Sequence, residues 1–308
     1  MAQSLYTNKE SNIRKTWFIF TLFLIVVIGL GYLFAQIYGN PGILYFAVAL
    51  SVSMSFVSYW FSDKIVLGMA GAQPVSMQNA PELYRIVENL AITAGLPTPK
   101  IYIVPEEQPN AFATGRDAGH AVVAVTAGLL ARLDRSELEG VLAHELSHIG
   151  NRDMLVSTMV VVLVGFVSIL SDIFLRSRLG FRGRSNGRDN GGVFLLIGIA
   201  ASIFAPIAAT LMQLAISRRR EFLADSAGAL LTRYPEGLAN ALERISSDPT
   251  PMMRVNNTTA HLWLASPYKE DSAQNRGAGG HRTSWLSKLF MTHPPIGERI
   301  AALRGMKI

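Results

Sequence analysis

Between Thr16 and Ser62 the chain carries no charged residue. A bilayer-spanning helix needs about 20 predominantly apolar residues, and Asn40-Pro41-Gly42 divides this run into two segments of that order. The spacing predicts two membrane helices joined by a tight turn. A cleaved signal peptide is the competing reading of the first segment. Its length, the lack of a clean cleavage site and the second span directly behind it argue for retention. Lys9, Arg14 and Lys15 precede the first span, against Glu10 alone. The N-terminus, and the region from Asp63 onward, are therefore expected on the cytoplasmic side.

Two more apolar segments follow. Met154 to Leu175 carries one charge, Asp172, and Gly191 to Ser217 carries none. Each is long enough to cross a bilayer, which predicts a second hairpin and about four transmembrane helices in all. Its tip carries Arg176, Arg178, Arg182, Arg184 and Arg188. Those arginines would lie outside if both helices crossed, against the positive-inside rule, so a shallow or protein-buried hairpin stands as the alternative. Only 16% of the residues are charged, where soluble domains average about a quarter, which agrees with a membrane protein.

The chemistry sits between the two hairpins. His144-Glu145-Leu146-Ser147-His148 is an H-E-x-x-H pattern, and with six histidines in 308 residues it arises by chance on the order of once in 200 such chains. Asp134 or Ser136 can cap a helix here, Ser136-x-x-Glu139 reads as a capping box, and Leu138, Val141, Leu142 and Leu146 supply an apolar stripe. The pattern thus falls on an amphipathic helix, where residues i and i+4 share a face and both imidazoles can grip one zinc ion. Glu145 points at the same place, as the base for a water activated there.

A tetrahedral catalytic zinc needs a third protein ligand and one open position. His120, His261, His281 and His293 are the remaining histidines, and Glu221 competes with them. Glu221 is preferred because it lies on a predicted helix with Asp225 one turn further along the same face. There Asp225 can orient a ligand histidine through its second ring nitrogen. The residues alone do not separate this role from that of a surface partner for Arg218, Arg219 or Arg220.

Around the zinc helix, Ala80 to Ala94 reads as an amphipathic helix, and Lys100 to Val104 and His120 to Thr126 as strands. Asn110 to Gly115 reads as a third strand or strand-like loop, whose edge could pair with a substrate peptide. Glu236 to Ile245 and Pro295 to Leu303 read as short helices, and Ser246 to Ser284 as a long loop with a short helix at Ala260 to Ala265. The chain has no cysteine, which excludes disulfides and thiolate metal ligands. The net charge of +6 comes with no basic stripe interleaved with aromatics, so it points to anionic lipid and away from nucleic acid.

Four blocks, in chain order, resemble the HtpX family: Asn110-Ala111-Phe112-Ala113-Thr114-Gly115, His144-Glu145-x-x-His148, Ser217-Arg218-x-x-Glu221-x-x-Ala224-Asp225 and Thr292-His293-Pro294-Pro295. These are bacterial membrane zinc metalloproteases, related more distantly to the CaaX prenyl proteases. The resemblance implies that His144, His148 and Glu221 hold one Zn2+ per chain, that Glu145 is the catalytic base, and that His293 helps stabilise the oxyanion. It also implies a place in the bacterial inner membrane and a stress-response role in quality control of misfolded or unassembled membrane proteins.

The expectation is therefore a mainly α membrane protein with a small α+β zincin-like catalytic domain. Residues 1–62 form the first hairpin, 63–153 the catalytic region with the zinc helix, 154–217 the second hairpin, and 218–308 the region with the third ligand and C-terminal helices. His148 precedes Met154 by six residues, or about 9 Å of helix. Continuous helix at both hairpin joins would place the zinc within roughly 10 Å of the membrane surface. Three other functions compete: a CaaX-type prenyl-protein protease, a non-catalytic zinc-binding scaffold, and a channel or transporter. The last would need ionisable residues inside its spans, where only Asp172 is found.

Overall fold

The structure is a computed structural model and describes residues 5–163, 218–253, 259–267 and 294–306. Two long helices lead the chain, α1 (Leu5–Tyr38) and α2 (Gly42–Ala70). The expected turn lies between them, where Asn40 accepts a hydrogen bond from the Gly42 backbone N–H at 2.9 Å. Asn12–Gln36 and Gly42–Ala70 are each long and apolar enough to cross a bilayer. Trp17, Phe18, Ile25, Tyr32, Tyr45, Phe46, Phe56 and Trp60 stand exposed on them, as side chains facing lipid would.

The chain then builds a small mixed sheet from β1 (Gln73–Val75), β2 (Lys100–Val104), β3 (Ala111–Thr114) and β4 (Val122–Thr126), in the order β1-β2-β4-β3. β2 and β4 are parallel, so a crossover must join them, while β1 and β3 run antiparallel on the two edges. All five residues of β4 are buried, because both faces of the sheet are covered. Val123 and Val125 face a core with Leu142 and Leu146, whereas Val122 and Ala124 face Val66, Phe112 and Trp263. Alternation along the strands thus divides the domain into two apolar layers.

Seven more α-helices complete the described residues: α3 (Pro81–Ala94), α4 (Ala127–Arg132), α5 (Arg135–Asn151), α6 (Asp153–Leu163), α7 (Arg218–Thr232), α8 (Pro235–Ser247) and α9 (Ile296–Arg304). The segment expected as a helix at Ala260 to Ala265 is a 3-10 turn over Ala260–Leu262. The expected strand from His120 starts two residues later, after a second 3-10 turn at Ala118–His120.

α5 departs from expectation in three ways. Its capping box is Asp134 with Glu137, not Ser136 with Glu139. Asp134 accepts from the Glu137 N–H and Glu137 accepts from the Asp134 N–H, both at 3.0 Å, while Glu139 pairs with Arg135. The helix is also not amphipathic in its surroundings: Glu137, Leu138, Gly140 to Leu146 and Ile149 are all buried. Two glycines allow this close wrapping. A Cβ on Gly140 would meet the Leu238 backbone N of α8 at 2.6 Å, and one on Gly228 of α7 would meet the His144 backbone N at 2.9 Å. Finally, the join to α6 is not continuous helix. Arg152 adopts the left-handed conformation (φ 56°), and its N–H closes α5 on the His148 and Ile149 carbonyls. The estimate of the zinc's depth from an unbroken helix therefore does not apply.

α6 is the beginning of the expected second hairpin. Val156, Val160 and Leu163 pack with Ile19, Phe23 and Val27 of α1, and Val161 packs under the sheet with Phe112. The rest of that hairpin, 164–217, with its arginine-rich tip, lies outside the described residues.

Candidate metal centre

The glycine contact between α7 and α5 sets the distance across which ligands can meet. On α5, His144 and His148 lie one turn apart with their Nε2 atoms 3.1 Å from each other. From α7, Glu221 places Oε2 3.8 Å from His144 Nε2 and Oε1 3.7 Å from His148 Nε2. One ligand atom from each of the three falls within 4.8 Å of the others. Glu221 is 9% exposed and belongs to this interior cluster, not to a surface pairing with its neighbouring arginines alone.

The donor chemistry fits zinc. His144 Nδ1 lies 2.9 Å from Asp225 Oδ1, and His148 Nδ1 lies 3.3 Å from Asp153 Oδ2. A carboxylate beside Nδ1 favours the tautomer with its proton there, leaving a lone pair on Nε2. Two lone pairs and a carboxylate then face one another in a buried space, an arrangement that calls for a cation. Two nitrogens bound to one tetrahedral zinc sit about 3.3 Å apart, close to the spacing found.

Three further groups complete the site. Glu145 is 3% exposed, and burial pushes its carboxyl up to about 7, while His148 and the Ala113 backbone N–H favour its charged form. Burial also opposes the charge on Asp225, but Arg299 and His144 outweigh it and hold that carboxyl down at about 2. Burial works against a charged His148 as well, and Asp153 with Glu221 overcomes it, raising the ring to about 9, so a metal ion would have to displace the Nε2 proton before that lone pair could bind it. Arg299, from α9, is fully buried. It donates to both Asp225 oxygens, Nε to Oδ2 at 2.8 Å and Nη2 to Oδ1 at 2.7 Å, and its Nη1 lies 3.5 Å from Glu221 Oε2.

The sheet brings one edge to this centre. Thr126 N–H donates to Asn110 O, so Phe112 and Thr114 carry the next mutual bonds to β4. The backbone groups of Ala111 and Ala113 then point away from the sheet. Ala111 O accepts from Leu264 N–H at 2.9 Å, and Asn110 clamps the same segment by exchanging hydrogen bonds with the Ala265 backbone.

Of the sequence-derived site residues, His144, Glu145, His148, Glu221 and Asp225 are gathered in one place. His293, expected at the oxyanion, lies outside the described residues, as does His281. His120 is exposed on its 3-10 turn and bound to Asp117 at 2.7 Å, away from the cluster. Asp153 and Arg299 were not anticipated. Arg299 left one trace: two carboxylates on a buried helix face, at Glu221 and Asp225, require a nearby cation.

An H-E-x-x-H helix completed by a carboxylate from a second helix, and tethered to bilayer-length helices, is the layout of a membrane metalloprotease. The chain matches Peptidase family M48 over residues 77–307. It is 41% identical to a protease HtpX homolog of Caldanaerobacter subterraneus subsp. tengcongensis, covering 99% of both chains. It is 42% identical to that of Thermoanaerobacter pseudethanolicus, over 99% of this chain and 98% of the relative. Against that of Pyrococcus abyssi it is 47% identical over 92% of each. The crystal structure of S. mikatae Ste24p has a TM-score of 0.49 at 20% identity, covering 94% of this chain and 66% of that one. The chain belongs to peptidase family M48, among its HtpX proteases.

Proposed function

We propose that this protease is a zinc endopeptidase that cuts unfolded segments of membrane proteins at the cytoplasmic face of the bacterial inner membrane. The observation that carries the zinc site is the meeting of two imidazole lone pairs and a carboxylate, each imidazole backed by its own acid. His144, His148 and Glu221 would hold the ion. Zinc, when bound, supplies Lewis-acid polarisation to a water and to the scissile carbonyl. Glu145 takes the proton of the attacking water and returns it to the leaving amine. Asp225 keeps His144 in the binding tautomer, and Arg299 keeps Asp225 charged. The outward backbone of Ala113, beside Glu145, is where an extended substrate would add to β3. The hold of Leu264 on Ala111 stops that pairing on one side.

The substrate class follows from the anchor. α1 and α2 put the centre on a domain that cannot diffuse away from the bilayer, and α6 leaves it directly toward α1. A protease so placed meets loops and tails of other membrane proteins, in keeping with a quality-control role. The test is cleavage in detergent micelles after purification under chelation. With zinc restored, an unfolded membrane-protein fragment should be cut and a folded soluble protein spared. Equal rates for both would remove the preference, and full activity without zinc would remove the metal.

Removing Arg299 gives a second check on this arrangement. Arg299→Ala leaves Asp225 and Glu221 buried without their cation. Zinc affinity is expected to fall about 10- to 100-fold, the usual cost of losing an orienting partner, and the thermal midpoint to drop with it. Arg299→Lys should restore little, since an ammonium cannot reproduce the two-pronged contact. Competition titration with a chromophoric chelator measures the first effect and a melting curve the second.

A further inference from the structure

His144 and His148 are both backed by carboxylates, but the two carboxylates are held very differently. Asp225 is fixed by Arg299. Asp153 is fixed by the first membrane helix. Asn12, one turn before the charge-free run of α1 begins at Thr16, is 3% exposed and turns its side chain into the domain. Its Nδ2 donates to the Asn151 backbone oxygen at 3.1 Å and to Asp153 Oδ1. The other Asp153 oxygen faces His148 Nδ1 at 3.3 Å, and Arg220 Nε lies 3.8 Å from Oδ1. Asn12, Asn151 and Asp153 are all at least nine-tenths buried, so these polar contacts are shielded from water.

The break at Arg152 is what makes the chain of contacts possible. On an unbroken helix, a residue five places after His148 points about 140° away from it around the axis. The left-handed Arg152 ends α5 and restarts the chain as α6, swinging Asp153 back under the imidazole. A non-glycine residue in that conformation is uncommon and carries a small cost, and here it gains a hydrogen-bonded, buried carboxylate at the centre.

We infer that Asp153 is a positioning residue for His148, and that α1, through Asn12, is a structural part of the metal centre and not an interchangeable anchor. This rests on the reading of His144, His148 and Glu221 as the zinc-holding trio. It predicts that a polar residue at the foot of a membrane span governs how well the domain beside it holds metal.

The experiment uses the full-length protein in detergent micelles. Zinc affinity is read by chelator competition, and ligand geometry by the visible absorption of the cobalt(II) form. Asp153→Ala should weaken zinc about 10- to 100-fold and alter the cobalt spectrum, with Asp153→Asn recovering part of both by keeping an oxygen toward His148. Asn12→Ala should shift both readouts in the same direction, and should add almost nothing to Asp153→Ala, because the two act along one path. Thr21→Ala is the control, since among the described residues that hydroxyl bonds to the Trp17 carbonyl of its own helix, on an exposed face. It should behave as wild type. Should Asp153→Ala fail to fold, Asp153→Asn and Asn12→Ala carry the comparison. Wild-type affinity and spectrum in Asn12→Ala, or effects of Asn12→Ala and Asp153→Ala that simply add, would overturn the link to α1. A wild-type protein that binds no zinc would overturn the underlying metal site, and this inference with it.

Discussion

Replacing Glu145 by glutamine is expected to remove peptide hydrolysis, by about 10²- to 10⁴-fold, while the protein keeps its zinc. The substitution changes one oxygen for an amide nitrogen in a group that is buried and close to isosteric, so the packing of α5 is preserved. It leaves the three ligand atoms of His144, His148 and Glu221 in place. What is lost is the capacity to accept a proton from water and hand it to the leaving amine. The measurement is turnover of an unfolded protein alongside metal content of the same preparation. Zinc lost together with activity would mean that Glu145 holds the ion, and activity retained would mean that another group is the base.

Glu221→Ala should give the opposite pattern, with metal and activity lost together. Structural zinc sites bind with about 10–16 kcal/mol, so each of four positions carries roughly 2.5–4 kcal/mol, or on the order of 10²- to 10³-fold in affinity. The two imidazole Nε2 atoms, 3.1 Å apart, would lose the Glu221 carboxylate that faces them both. Alanine would also leave Arg299 with Asp225 alone, turning a buried group of one cation and two carboxylates into a simple pair. Metal analysis after gel filtration should find far less than one zinc per chain. Stoichiometric zinc would show that the third ligand lies elsewhere.

Much of this centre was legible in the chain because its signals are local. The i, i+4 histidines share a face by helix geometry alone, and Glu221 and Asp225 repeat the same spacing on α7. β2, β3 and β4 were found within a residue or two, since β2 and β4 are β-branched runs, whereas the three-residue edge strand β1, with Pro74 at its centre, was not anticipated. What escaped reading depends on tertiary contacts. Nothing near Arg299 marks it as buried, because its partners lie about 75 residues earlier in the chain, at Asp225. Arg152 is neither the glycine nor the asparagine that usually announces a left-handed residue, although Gly150 and Asn151 directly precede it, so the sequence left continuity between α5 and α6 as a condition only. Asp134 and Ser136 both offered a cap, and only the register of Glu137 decides between them. The all-round burial of α5 was hidden for a related reason. Its small residues looked like gaps in a stripe, whereas Gly140 admits α8, and Gly228 brings α7 up to its backbone.

The position of Arg299 has a bearing on how the enzyme is born. Ribosomes emit the chain from the N-terminal side, so the spans and the H-E-x-x-H helix emerge long before α9. Until α9 is made and docks, Asp225 and Glu221 lack their buried cation and the ion-holding trio lacks its frame. The frame of the centre is therefore complete only once nearly the whole chain has been made, because the residue that locks Asp225 is among the last to appear.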